Sequence, residues 1–195
     1  MSSALIFILR SLIGLYIVSF VLRAMLQWVR ADIRNPLSQF ILRITNPLVR
    51  PVRHVLPSTG QLDSASLLIA LALQLITTTI LVRFACVGSI DPLQIAWISL
   101  LQLVHLVLRI YFLVIIVYVI LSWVSPAGTY NPAASLLSSI AEPVLAPLRR
   151  LIPPVGGLDL SPLFAIIGIQ ALTMLLPIGQ AMSGLLCSAA GQLFR

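Results

Sequence analysis

Gln102, His105 and Arg109 stand at i, i+3 and i+7 inside one long apolar run, a spacing that puts them on one face of a helix. An amide, an imidazole and a guanidinium on one face can line a path for an ion or a polar solute. The same three groups can instead clamp neighbouring helices together. Arg109 falls near the midpoint between Trp97 and Trp123, too deep for its head to reach an interface easily, and a charge at that depth costs several kcal/mol. Asp32, Asp63, Asp91, Glu142 and Asp159 all stand in loops or at the ends of apolar runs. Arg109 is therefore expected to meet amide oxygens, carbonyls, water or an anion, with Gln74 or Gln170 as the partners of a clamp. Gln74-x-x-Thr77 and Gln170-x-x-Thr173 carry one polar pair into two further apolar runs. Such groups bond neighbouring helices for about 0.6 kcal/mol each, or form a symmetric polar site. General acid–base chemistry needs two positioned groups with tuned pKa values. His54 and His105 lie far apart in sequence and in expected depth, and no metal-spaced His/Cys cluster or phosphate loop is present. The expectation is a protein that is not an enzyme and holds no cofactor.

The elements that must position these groups are apolar spans. Of 195 residues, 59% are hydrophobic and 9% charged, where a soluble domain carries about a quarter charged residues. The runs 4–29, 64–82, 93–124 and 160–176 read as four transmembrane helices, the first retained rather than removed as a signal peptide. Arg23 is expected to extend its head to the nearer interface, beside Trp28. Trp97 and Trp123 would lie about 39 Å apart along a helix, the full bilayer with its interfaces. Cys86 and Cys187 read as two small buried thiols or, on an oxidising face, as a disulfide.

The connections repeat. Asn35, Pro36, Pro47, Pro51, Pro57, Gly60 and Asp63 recur 96 residues later as Asn131, Pro132, Pro143, Pro147, Pro153, Gly156 and Asp159. The offset is 95 between Trp28 and Trp123, so one residue is inserted between Trp123 and Asn131. Proline fixes φ and removes a donor, so equal proline spacing predicts equal backbone paths. Asn35-Pro36 and Asn131-Pro132 read as N-cap and first helical residue. Leu37, Phe40, Ile41, Ile44 and Leu48 then fall on one helical stripe, as do Leu136, Leu137 and Ile140 in the second copy. Each connection therefore holds a short amphipathic helix in the headgroup plane, which Pro47, Pro51 and Pro57 are expected to stop. The fold expected is an all-α membrane protein of two tandem helix–loop–helix units, 1–92 and 93–195, related as parallel repeats.

The charge of +7 comes entirely from arginine. Arg34, Arg43, Arg50, Arg53, Arg149 and Arg150 gather in the two long connections, which makes them a surface for anionic lipid headgroups or for protein partners, rather than for nucleic acid. The positive-inside rule places both connections in the cytoplasm and both termini outside. Four spans also suit a homo-oligomer or a larger membrane complex.

The residues Trp28-Val29, Asn35-Pro36, Arg50-Pro51-Val52-Arg53, Leu56-Pro57 and Gly60-Gln61-Leu62-Asp63, answered by Trp123-Val124, Asn131-Pro132, Ala146-Pro147-Leu148-Arg149, Ile152-Pro153 and Gly156-Gly157-Leu158-Asp159, resemble the signature of the YggT family of small bacterial membrane proteins, called YlmG in cyanobacteria and plastids. The resemblance covers nearly the whole chain, although Arg30 is answered by Ser125 and Arg50 by Ala146. Its bacterial branch implies a link to osmotic stress and potassium uptake, and its YlmG branch implies a scaffold in cell division or in nucleoid or thylakoid organisation.

Overall fold

A computed structural model describes residues 2–55, 63–85, 91–124, 131–152, 159–178 and 181. Pro57, Gly60, Pro153, Gly156, Cys86, Cys187 and the tail from residue 182 lie outside the described residues. The described chain is helical throughout: α1 (Ser2–Trp28), α2 (Pro36–Val55), α3 (Ser64–Ala85), α4 (Pro92–Val124), α5 (Pro132–Leu151) and α6 (Ser161–Leu175). Three of these contain segments long and apolar enough to cross a membrane: Phe7–Trp28, Ser64–Arg83 and Pro92–Val124. The fourth apolar helix, α6, has 15 residues and spans about 22 Å, shorter than a hydrocarbon core of about 30 Å.

The helices start where side chains can take up their first free N–H groups. Asn35 Oδ1 accepts from the N–H of Leu37 at 2.9 Å. Asn131 Oδ1 accepts from Ala133 at 3.0 Å, and Asp91 Oδ1 accepts from Leu93 at 3.1 Å. The end of α1 is closed by a paired motif, with Ala31 N–H bonded to Leu26 O at 2.9 Å and Arg30 N–H to Gln27 O at 3.1 Å. That motif places its pivot residue in the left-handed region, and glycine usually holds the pivot. Here Arg30 holds it, at φ 51°.

The prolines do not stop α2 and α5, contrary to the sequence expectation. Pro47 and Pro51 lie inside α2, and Pro143 and Pro147 lie inside α5. An interior proline costs about 3 kcal/mol through a lost hydrogen bond and a clash with the preceding turn. All four are exposed, so the carbonyls they leave unpaired face outward, where water or headgroups can take the bond. The two connections thus contain 20-residue helices, longer than the short ones expected.

The stripe on α2 also behaves differently from a simple two-faced helix. Leu37, Phe40, Ile44 and Leu48 are exposed, while Ser38, Thr45 and Val49 are buried against the rest of the protein. Arg43 and Arg50 lie on a third, polar side. In α5 the matching positions turn inward: Leu136 and Ile140 are buried. Helix α2 packs on α1 and α3, and α5 packs on α4 and α6. The halves meet along α3 and α4 and along α2 and α5, where Asn35 Nδ2 donates to Pro132 O at 2.7 Å. Both connecting helices therefore sit at one end of the bundle. Phe20, Val49, Ala65, Ala70, Ile115, Ile140 and Leu145 form the common core.

Candidate functional site

The predicted polar residues of the spans divide into a clamp and a groove. Gln102 Oε1 accepts from Gln74 Nε2 at 2.6 Å and from Thr78 Oγ1 at 2.9 Å. This ties α3 to α4 across the boundary between the two halves. Thr78 was missed by sequence reasoning, although it stands one turn from Gln74, where an α-helix returns to the same face. Thr77 and Thr173 turn their hydroxyls back to their own helices, onto Leu73 O and Gln170 O, both at 2.7 Å. Gln170 is exposed and meets Thr173 rather than Arg109. The expected clamp of Arg109 on Gln74 or Gln170 is thus not formed: Gln74 is taken by Gln102.

Arg109 instead lies exposed in a groove of 470 Å³ between α1, α3, α4 and α6. Arg10, Gln74, Gln102, His105 and Thr173 share that lining. The groove runs from Leu81 and Ile178, toward the end of the bundle opposite α2 and α5, down to Arg109. His105 Nδ1 is buried and meets no hydrogen-bond partner. Among the described residues no carboxylate pairs with Arg109, and no cluster of ligands could hold a metal ion. The Arg109 guanidinium among neutral amides favours an anion or a neutral polar solute and disfavours a cation.

At the other end of the bundle, the arginines expected as a surface are of two kinds. Arg34, Arg43, Arg50 and Arg150 are exposed. Arg53 and Arg149 reach back to the acids that open the next helices. Arg53 Nη2 lies 3.0 Å from Asp63 Oδ2, and Arg149 Nε lies 2.8 Å from Asp159 Oδ2. Both pairs obey the 96-residue offset, so this tie is the structural content of the repeated Arg and Asp.

The first copy adds Arg23. It does not extend to an interface: it is 4% exposed, with Nε on Asp63 Oδ2 at 3.1 Å and Nη1 on Thr45 Oγ1 and Asn46 Oδ1, both at 2.8 Å. A buried charge persists only when paired and hydrogen-bonded, and here one guanidinium ties α1, α2 and α3. Asp63 also takes the Ser66 hydroxyl at 2.7 Å and the Ser66 N–H at 3.3 Å, so it caps α3. Burial pushes its carboxyl up, but Ser66 and the Arg53 and Arg23 guanidiniums outweigh that and hold it below the usual range.

The second copy replaces Arg23 with Tyr118, whose hydroxyl lies 3.4 Å from Arg149 Nη2, and Thr45 with Ala141. Glu142 takes Arg149 Nη1 at 3.0 Å. This network is open to solvent, and Asp159 is likewise held low, with Ser161 and Arg149 outweighing its partial burial. The signal for Arg23 was a lone charge inside an apolar run, which a snorkelling side chain explains equally well.

The sequence model of the CCB3/YggT family matches residues 2–84 and again 97–180, the two halves built around α1–α3 and α4–α6. An uncharacterized protein of Pseudomonas aeruginosa is 44% identical over 178 residues, covering 90% of this chain and 89% of that one. YggT of Escherichia coli, also described as uncharacterized, is 37% identical over 173 residues, 88% of each chain. A chloroplastic YlmG homolog of Arabidopsis thaliana is 40% identical over 68 residues, 34% of this chain and 26% of its own. No solved structure matches. With both halves matched and relatives similar over almost their full length, this chain belongs to the CCB3/YggT family.

Proposed function

We propose that this is a non-enzymatic, multi-pass bacterial inner-membrane protein whose groove at Arg109 receives a small anionic or neutral polar solute. In this reading α1, α3, α4 and α6 all span the bilayer. Helices α2 and α5 lie at the cytoplasmic headgroup plane, and the N-terminus is periplasmic. The groove then opens to the periplasmic side. The observation that carries it is Arg109 itself, exposed among polar groups from four helices with no carboxylate partner among the described residues. A charge at that depth is costly against lipid, and a groove that admits water and a polar solute lowers that cost. The same chemistry disfavours a cation carrier acting alone. The osmotic-stress and potassium link that the family resemblance implies therefore fits an accessory role. A second reading is a scaffold for cell division or nucleoid organisation, favoured by exposed Arg34, Arg43, Arg50 and Arg150, which form no ion pair among the described residues.

The test compares Arg109→Leu with a combined Arg43→Gln, Arg50→Gln and Arg150→Gln variant, each checked for membrane level. Loss of osmotic tolerance or solute flux confined to Arg109→Leu supports the groove. Loss of partner recovery or septal placement confined to the surface variant supports the scaffold and overturns the groove.

A further inference from the structure

We propose that the first elbow holds the phosphate of one anionic lipid headgroup, in a pocket between the end of α1 and α2. The pocket measures 440 Å³ and is lined by Arg23, Arg30 and Arg53 together with Gln27, Ser38 and Leu42. Three guanidiniums meet there, and the carboxylate at hand, Asp63, gives a single oxygen to both Arg23 and Arg53. Asp63 thus offsets one of the three positive charges that line the pocket. Ser38 is 2% exposed, lines the pocket, and its Oγ has no hydrogen-bond partner. A buried hydroxyl without a partner is uncommon, because the lost bond is costly.

Arg30 supplies a second oddity. It sits at φ 51°, where glycine would be relaxed and a side chain is strained, and that backbone carries its side chain to the pocket. A phosphate offers acceptor oxygens suited to guanidinium forks and to a hydroxyl donor. Placement favours a lipid as the source. Trp28 and the outward apolar residues Phe40, Ile44 and Leu48 stand nearby in chain and helix. Basic pockets at the cytoplasmic interface commonly take anionic headgroups, and this placement rests on the topology proposed above. The second elbow has Ser125 for Arg30 and Tyr118 for Arg23, so the set of three arginines is not repeated there.

The experiment is native mass spectrometry of the full chain in micelles doped with phosphatidylglycerol or phosphatidylcholine, with inorganic phosphate as a third probe. Arg30→Gly is the main variant, because it relaxes the backbone while removing the guanidinium. Ser38→Ala is the second, and Arg83→Gln, at an exposed arginine in the last turn of α3, controls for loose charge attraction. The expected result is one phosphatidylglycerol retained per chain, held about tenfold or more weakly by Arg30→Gly, also weakened by Ser38→Ala, and unchanged by Arg83→Gln. Equal retention of phosphatidylcholine, or wild-type retention by Arg30→Gly, overturns the site. Inorganic phosphate bound without lipid and lost in Arg30→Gly overturns the lipid as its source. Micelles have no sides and Arg30 is remote in sequence from Arg109, so failure of the proposed topology or groove leaves this readout intact.

Discussion

Arg23 on α1 and Asp63 at the start of α3 meet at 3.1 Å, Nε to Oδ2, across 40 residues of sequence. Both are buried: the side chains are 4% and 0% exposed. The pair closes the first helix–helix–helix unit, because Arg23 also holds Thr45 and Asn46 on α2. Helix α2 contains two interior prolines, so it needs such tertiary ties to stay helical.

Removing one partner of that pair leaves the other charged and buried, which costs about 3–5 kcal/mol. Asp63→Asn should therefore lower the melting temperature of the micelle-bound protein far more than Asp159→Asn. The second pair is 35% and 39% exposed, and a solvent-screened tie is worth about 1 kcal/mol or less. Equal losses in the two variants would show that the buried network does not hold the first unit together.

The acids also predict a pH dependence. The Asp63 carboxyl is held below its ordinary value, so the folded state binds its proton less readily than the unfolded chain. Its contribution is fully present above the unfolded pKa of about 4 and is lost as pH falls through the lower folded value. Thermal unfolding followed from pH 7 to pH 2 should show a loss below about pH 4. Asp63→Asn should flatten that loss, and a variant that keeps the wild-type acid slope would assign it to other carboxyls.

The amide clamp between α3 and α4 is a separate test. A double-mutant cycle on Gln74→Leu and Gln102→Leu should give a coupling of about 0.6 kcal/mol, reaching roughly 2 kcal/mol at most. Thr78→Val should weaken the same site, since its hydroxyl shares Gln102 Oε1. Zero coupling between the two glutamines would mean that they find equivalent partners elsewhere.

Asn35 has two jobs that one substitution separates. Its Oδ1 caps α2 and its Nδ2 bonds Pro132 O on the other half. Asn35→Asp keeps the cap and loses the donor, whereas Asn35→Ala loses both. The alanine variant should cost about 1 kcal/mol more than the aspartate variant, the usual worth of a cap. Matching melting temperatures for the two would show that capping at this position carries no stability.

The legible part of the site lay in residue types that are anomalous for their surroundings. Gln74, Gln102, His105 and Arg109 stood out because polar groups in apolar runs need partners, and the structure brings all four to one groove. Their pairing was not legible. Whether Gln74 reaches Arg109 or Gln102 depends on the rotation of α3 against α4, and periodicity within one helix carries no information about its neighbour's rotation. Arg23 shows the same gap: its chemistry permits snorkelling or burial, and only the position of Asp63 decides between them.

By itself, the chain's sequence determined the long apolar helices, the duplicated elbow and the asparagine caps, because these follow from local hydropathy, proline geometry and the bonding of a side chain to its own backbone. The tertiary structure decided that α2 and α5 continue through their prolines, that Phe40 faces outward while Leu136 is buried, and that Arg53 and Arg149 clamp acids rather than stay free. Each of these depends on which surfaces meet across distant parts of the chain. An exposed proline can leave its lost bond to the surroundings, and an arginine settles wherever a carboxylate is brought within about 3 Å.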